Sequence, residues 1–313
     1  MKTHAGHGPS MISGKTNHTL IVIEGPTAVG KTAFAVTLAK MLGSVVISAD
    51  SRQFYQELSI GTARPSAEEM EGVKHYFSGN LSIHDYYNVA RFETDVLQLL
   101  PSLFAENPLV IMAGGSGLYI DAVCNGIDDF PDPDPELRSY LKGLLRDEGI
   151  EKLRELLKEQ DPAYYDSVDL MNPVRLQRAL EVSITSGKPY SELRAGQFRK
   201  RDFRILKIGL NLPREALFER INRRVEMMME AGLPGEAGSL LPFRHLNALN
   251  TVGYKELFEY FDGKVLLEQA VENIKTNTRR YAKRQLTWFQ RDKEVNWFEP
   301  SQVKDVYGWV VNG

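Results

Sequence analysis

The segment Gly25-Pro26-Thr27-Ala28-Val29-Gly30-Lys31-Thr32 sets two glycines, a lysine and a threonine in the order G-x-x-x-x-G-K-T. That spacing suits capture of a di- or triphosphate. The glycines let the backbone curl until successive N–H groups point at one anion. Lys31 adds a mobile point charge for an outer phosphate, and Thr32 offers a hydroxyl to Mg²⁺. Asp50-Ser51-Arg52-Gln53 brings a second reactive group, a carboxylate able to take a proton as a nucleophile attacks. An aspartate at a strand end can also simply cap the next helix.

The flanking sequence must position these groups. Leu20-Ile21-Val22-Ile23 reads as a short buried strand, and 31–39 as a helix whose positive end adds to the phosphate field. That helix is expected to end near Gly43. Residues 45–50 then read as a second buried strand finishing on the acid. Apolar positions over 88–106 have helical spacing, 109–113 read as a third strand, and 118–123 begin another helix after Gly114-Gly115-Ser116-Gly117. Strand, loop, helix and strand in this order predict an α/β fold. We expect a P-loop NTPase-like parallel sheet flanked by helices. Ligands in such sheets sit at the carboxyl ends of the strands, so 25–32, Asp50 and 114–117 should converge on one crevice.

Phe130-Pro131-Asp132-Pro133-Asp134-Pro135 is a stiff connector. Beyond it, leucines recur at helical spacing to about Gly187, which predicts an inserted all-helical domain over 131–199. The catalytic core is then discontinuous, 18–130 and 200–313. In its second part, 203–212 read as a strand and Pro213 opens a helix through Met229. Residues 232–238 read as a loop, and a long helix over 266–289 closes the fold. Residues 1–17, rich in Gly, His, Ser and Thr without a period, read as a disordered extension.

Of the 313 residues, 42% are hydrophobic and 25% charged, enough for a sizeable core. The single cysteine, Cys124, excludes a disulfide framework and a Cys-rich zinc site, and it suits a reducing, cytoplasmic setting. No apolar run is long enough to span a membrane, and a monomer is expected. A net charge of −3 argues against nucleic acid, but the average hides clustering. Lys275, Arg279, Arg280, Lys283, Arg284 and Arg291 fall in a stretch, 275–291, that contains no acid, and a second basic cluster spans 199–224. The pairs 279/283 and 280/284 should form two basic rows on one helix face, suited to RNA phosphates.

The third strand ends in Ala113-Gly114-Gly115, without the Mg²⁺-holding acid of a motor ATPase, and no Asn-Lys-x-Asp guanine motif is present. Hydrolysis is therefore not the main task. Two transferase readings stay open on the residues alone. Asp50 deprotonates an alcohol in a small-molecule kinase, or the phosphates are a leaving group and the rest of the donor is transferred. A non-catalytic RNA-binding protein that senses nucleotide is a third reading, needing the loop but not Asp50.

Taken in order, the motifs resemble the bacterial tRNA dimethylallyltransferase family. They are 25–32, Asp50-Ser51-Arg52-Gln53-Phe54-Tyr55, Gly61-Thr62-Ala63-Arg64-Pro65, Gly114-Gly115-Ser116-Gly117-Leu118-Tyr119, Arg175-Leu176-Gln177-Arg178-Ala179-Leu180-Glu181, Val252-Gly253-Tyr254 and Lys283-Arg284-Gln285 with Thr287-Trp288. They span about 25 to 290. The resemblance implies transfer of a dimethylallyl group from dimethylallyl diphosphate to N6 of the adenosine just 3′ of the anticodon, in tRNAs reading codons that begin with U, with Mg²⁺ and release of diphosphate. By the same resemblance Asp50 accepts the N6 proton, while Thr27, Lys31 and Arg224 act on the leaving diphosphate. Gly25, Pro26, Ala28, Val29, Gly30, Thr32 and Arg220 help to bind it. Asp50, Ser51, Arg52 and Gln53 would meet the flipped base and its neighbours. Ser116, Arg138, Val174, Arg175, Leu176, Gln177, Arg178, Thr251, Val252, Gly253, Tyr254, Lys255, Arg279, Lys283 and Arg284 would contact the tRNA anticodon stem-loop.

Overall fold

A computed structural model describes residues 18–128, 130–132, 134–194, 196 and 199–312. The expected extension over 1–17 lies outside the described residues. The chain divides into two compact units, one reaching Cys124 and resuming at Arg201, the other Asn125–Lys200.

In the first unit the elements run β1 (Thr19–Glu24), α1 (Lys31–Leu42), β2 (Val46–Ser48), α2 (Ala67–Met70), β3 (His75–Tyr76), α3 (Val89–Glu106), β4 (Leu109–Gly114) and α4 (Gly117–Asn125). The helical unit holds α5 (Pro135–Glu148), α6 (Ile150–Gln160), α7 (Pro162–Tyr165), α8 (Pro173–Ser186) and α9 (Tyr190–Leu193). The first unit resumes with β5 (Arg204–Leu210), α10 (Arg214–Glu230), α11 (Leu233–Leu240), α12 (Tyr254–Phe261), α13 (Leu267–Phe289), β6 (Asn296–Phe298) and α14 (Val303–Asn312).

The six strands form one parallel sheet in the order β3-β2-β4-β1-β5-β6. β1 is central and buried at every position, as a parallel strand covered on both faces must be. Its side chains alternate between two cores. Ile21 and Ile23 pack with α1, α10 and α14 through Phe34, Leu217 and Val306. Leu20 and Val22 face α3 and α4 through Phe92, Val96 and Ile120. The chain leaves β1 toward β2 on one side and later reaches β5 on the other, which opens a crevice at the carboxyl end of β1.

Three expectations need correction. Residues 232–238 are not a loop. α11 starts there, capped by Gly232 in the left-handed region (φ 97°) with a proline in its first turn. Its buried stripe Leu233, Ala237 and Leu240 is helical, but Gly235 and Gly238 mask the pattern. β3 has only two residues, so the third expected strand is the fourth. The long helix does not close the fold. β6 and α14 follow it, and α14 buries Val306 and Val310 in the core shared with α1.

The helical unit has its own core, built from Leu141, Leu153, Leu157, Leu176, Ala179 and Leu180. Asp161, 1% exposed, joins its parts. Its carboxylate accepts from the Tyr164 N–H at 3.0 Å, the Ser191 N–H at 2.7 Å and the Ser191 hydroxyl at 2.7 Å. Asp161→Ala should therefore strand two N–H groups and destabilise this unit by about 2–4 kcal/mol, read as an earlier unfolding transition in denaturant.

Candidate active site

The phosphate loop is shaped by contacts that only small residues permit. A Cβ on Gly25 (φ +152°) would lie 2.5 Å from the carbonyl oxygen of Leu210, where β5 ends beside β1. Gly30 caps α1 in the left-handed region (φ 110°), and no side chain caps that end or places an acid in its first turn. The N–H groups of the first turn are thus kept for an anion. Lys31 Nζ donates to the carbonyls of Gly25 and Pro26, each at 2.9 Å. Burial pushes the Lys31 pKa down to about 8, Asp50 opposing that shift and Arg224 adding to it.

The loops after β2 and β4 are zipped together beside it. Ala49 N–H donates to the Ala113 carbonyl at 2.8 Å and Ser116 N–H to the Ala49 carbonyl at 3.1 Å. A Cβ on Gly114 would sit 2.2 Å from that same Ala49 oxygen, so glycine is required there. The Ser116 hydroxyl accepts from the Ser51 N–H at 2.9 Å. Asp50 accepts only a 3.1 Å bond from the Arg52 N–H by one oxygen among the described hydrogen bonds, and its carboxylate lines the cleft. Arg52 donates to the Asn247 and Ala248 carbonyls, and Gln53 to those of Thr62 and Ala63. Both spend hydrogen bonds on shaping their own loops.

An open cleft of about 980 Å³ gathers Thr27, Ala28, Gly30, Lys31, Thr32, Asp50 and Gln53 from the strand ends, with Arg220 and Arg224 from α10. Arg223 also lines it and was not singled out from the sequence. Burial pulls the Arg224 pKa down, and the Asp50 and Glu69 charges oppose that pull. Of the expected phosphate groups, Thr27, Ala28, Gly30, Lys31, Thr32, Arg220 and Arg224 therefore share one cleft with Asp50, while Gly25, Pro26 and Val29 do not line it, and Val29 is buried in the core.

Three residues have supporting roles that the sequence hides, because their partners are far along the chain. Gln285 of α13 accepts from the Thr27 N–H and donates to the Gly115 carbonyl, each at 2.8 Å. Tyr281, one turn earlier, lies close enough to Asp50 that burial first, and then the Asp50 charge, raises its pKa. Glu236 accepts from the N–H groups of Ser59, Ile60 and Gly61 and from the Tyr254 hydroxyl at 2.6 Å. Burial would raise the Glu236 pKa, but those donors hold it below the ordinary value. The Tyr254 ring lies 2.6 Å from where a Gly61 Cβ would be, which explains glycine in that turn.

Several residues expected at RNA are placed differently. The Tyr254 side chain is fully buried in this support, beneath half-buried Thr251 and Val252 and exposed Lys255. Leu176 is fully buried in the helical core, so its side chain packs rather than faces ligand. Val174 and Arg175 beside it are exposed, and Gln177 donates to the Leu141 carbonyl. Arg138 holds buried Glu181 through two bonds of 2.7 and 2.9 Å, with Arg178 at 3.5 Å. On α13 the two basic rows are not equivalent. Arg279 is half-buried and donates to Asn222 of α10 at 2.7 Å, and Lys275 pairs with Glu226 of α10 and with Glu272. Arg280, Lys283 and Arg284 form the exposed face.

Residues 53–292 match the model of the family described as IPP transferase. The chain is 50% identical over 287 residues to tRNA dimethylallyltransferase 2 of Azobacteroides pseudotrichonymphae, covering 92% of this chain and 94% of that one. It is 49% identical over 292 residues to tRNA dimethylallyltransferase 1 of Bacteroides thetaiotaomicron, covering 93% and 95%. The crystal structure of tRNA isopentenylpyrophosphate transferase from Bacillus halodurans superposes with a TM-score of 0.69 at 36% identity, over 94% of this chain and 96% of that one. A eukaryotic dimethylallyltransferase acting on tRNA gives 0.75 at 26% identity, over 90% and 74%. A phosphate cradle beside a carboxylate, on this sheet and with these relatives over nearly its whole length, places the chain in the IPP transferase family.

Proposed function

We propose that this protein transfers a dimethylallyl group from dimethylallyl diphosphate to N6 of the adenosine immediately 3′ of the anticodon, in tRNAs reading codons that begin with U. The observation that carries the reading is the Asp50 carboxylate in the same cleft as Lys31 and Arg224. Family membership supports alkyl transfer over the phosphoryl transfer of a kinase.

Adenine N6 is a weak nucleophile because its lone pair is delocalised into the ring. As it attacks the allylic carbon, the N6–C bond forms and the C–O bond to diphosphate breaks, with the electron pair leaving on oxygen. The attacking nitrogen turns cationic, and its proton passes to Asp50. Negative charge grows on the departing oxygens, where the loop N–H groups, Lys31, Arg224 and Arg220 neutralise it. The Thr27 hydroxyl donates to the bridging oxygen. Reaching N6 requires lifting the base from the anticodon-loop stack, at a cost of a few kcal/mol.

Thr32, half-buried in the first turn of α1, lines the cleft. Among the described residues no group of three His, Cys, Asp or Glu could hold a metal alone. Mg²⁺ commonly takes one or two protein ligands and keeps waters and substrate phosphates, so Thr32 with the diphosphate oxygens suits it. The ion would supply charge neutralisation at the leaving group. The exposed face of Arg280, Lys283 and Arg284 takes stem phosphates, and in the helical unit Val174, Arg175 and Arg178 take the anticodon loop. Among the described residues no helix is long and apolar enough to cross a membrane, and we place the enzyme in the cytoplasm as a monomer.

Incubating the protein with labelled dimethylallyl diphosphate, Mg²⁺ and an anticodon stem-loop bearing three consecutive adenines should put label on the RNA. Asp50→Asn should keep stem-loop affinity within about threefold and lower single-turnover transfer about 10²- to 10⁴-fold. Near-normal transfer would remove Asp50 from this role. Lys31 gives a pH test. Its ammonium is present below about pH 8 and lost above it, so affinity for inorganic diphosphate should bend downward above that pH, by up to about tenfold per unit. Lys31→Arg, which keeps its charge, should lack the bend and retain only the titration of the ligand. Replacing Arg280, Lys283 and Arg284 together by Gln should flatten the log–log salt dependence of stem-loop binding by about 2. An unchanged slope would take α13 away from the RNA.

A further inference from the structure

Gln285 is 5% exposed, and both ends of its amide are used. Its oxygen takes the Thr27 N–H at 2.8 Å and its nitrogen binds the Gly115 carbonyl at 2.8 Å. A Cβ on Gly115 would fall 2.4 Å from that nitrogen, so the glycine exists in part to admit the amide. One turn later Trp288 lies over Gly117, 2.3 Å from where its Cβ would stand, and donates to Asp121 at 3.0 Å. The inner face of α13 therefore binds two loops at once, the phosphate loop after β1 and the glycine loop after β4.

The Thr27 bond has a specific consequence. In the loop before α1 the Val29 N–H makes only a long 3.4 Å bond to the Pro26 carbonyl, whereas the Thr27 N–H is committed to a side chain at 2.8 Å. Fixing that N–H fixes the backbone of Thr27, and Thr27 itself lines the cleft. A hydroxyl on a curled loop is otherwise free to rotate with its peptide plane, and a misplacement of about 1 Å can cost 10²-fold in rate.

We propose that Gln285 is a positioning residue for group transfer, acting through Thr27 by aiming its hydroxyl at the bridging oxygen of the donor; this rests on the prenyl-transfer reading above. Gln285 is not among the residues that line the cleft, whereas Thr27 is. Its removal should lower the rate of the chemical step and leave capture of diphosphate nearly intact, because the N–H groups that hold the anion do not depend on it.

The test is a cycle of Gln285→Met, Thr27→Ala and the double variant. Gln285→Met should lower kcat about 10- to 100-fold, with KM for the stem-loop and affinity for inorganic diphosphate within about threefold of the parent. In the Thr27→Ala background the same change should cost less than about threefold, since the group it positions is gone. Gln285→Glu keeps the acceptor for the Thr27 N–H but sets an oxygen against the Gly115 carbonyl, and it should retain more activity than Gln285→Met. If Gln285→Met does not fold, Gln285→Ala, which likewise removes the acceptor for the Thr27 N–H, carries the cycle. Independently of activity, amide exchange at Thr27 should be slow in the parent and at least tenfold faster in Gln285→Met. Additive losses in the cycle, a kcat within twofold of the parent, or unchanged exchange at Thr27 would overturn the proposal. An active-site loop with the expected exchange behaviour but no prenyl transfer by the parent would instead defeat the functional reading.

Discussion

Lys31 holds its ammonium against the carbonyls of Gly25 and Pro26, where burial brings its pKa down to about 8 and the Asp50 charge keeps it from falling further. Much of the first unit serves that placement. β1 must be central and buried to bring the loop to the sheet's carboxyl edge. Gly25 must be a glycine because the end of β5 passes so close. β2 must stop at Ser48 so that Asp50 can turn into the cleft rather than continue the ladder. A cation partly removed from water gains more from an incoming anion than an exposed one would, because less solvent has to be displaced and the field is less screened. The cleft sets Arg220, Arg223 and Arg224 opposite, on adjacent turns of α10, so a diphosphate would meet charge from two sides.

Residues that act with near neighbours could be read from the sequence. The phosphate loop, the acid after β2 and the glycines after β4 are each local patterns tied to a strand end, and parallel topology alone brings strand ends together. What escaped are pairings across long stretches of chain. Gln285 meets Thr27 over 258 positions and Gly115 over 170, and although it stands in the Lys283-Arg284-Gln285 motif, nothing in its helix shows that its amide is spent on two distant loops. Glu236 sits in a segment whose glycines suggest a loop, yet its carboxylate organises the turn at Ser59–Gly61. The charge reading narrows for the same reason. The stretch 275–291 contains no acid, but Glu226 reaches Lys275 from α10, and Arg279 is drawn into the α10–α13 seam.

α13 shows how one helix can serve two demands without conflict. Residues three and four apart share a face. Ala282, Gln285 and Phe289 are buried toward the sheet, and Arg280, Lys283 and Arg284 point to solvent. Arg284 and Arg291 lie over the rings of Tyr281 and Trp288, at 5.9 and 4.0 Å. Aromatic support of this kind lowers the conformational entropy a cation surrenders when it binds phosphate. Specificity for structure and affinity for charge are thereby kept on opposite sides of the same turns.

Behind the loop the fold tolerates a cost. Glu24 ends β1 at 3% exposure, and one of its oxygens has no hydrogen-bond partner among the described residues. Burial, with Asp121 and Asp292 adding and Lys207 opposing, raises its pKa to about 8. A carboxyl raised this far favours the native state while protonated and weighs against it as pH climbs from the ordinary glutamate range toward 8. At pH 7 the difference from an exposed glutamate is about 3 kcal/mol. An apolar side chain would fill the same strand position without that burden, and the three preceding residues are all apolar. Lys207 beside it offsets only part of the cost, because its ammonium is already paired with Asp292 at 2.5 Å. Local departures from the stability optimum gather at the ends of strands that carry a site, and here the departure sits one residue before Gly25, where the backbone must turn from ladder to anion cradle.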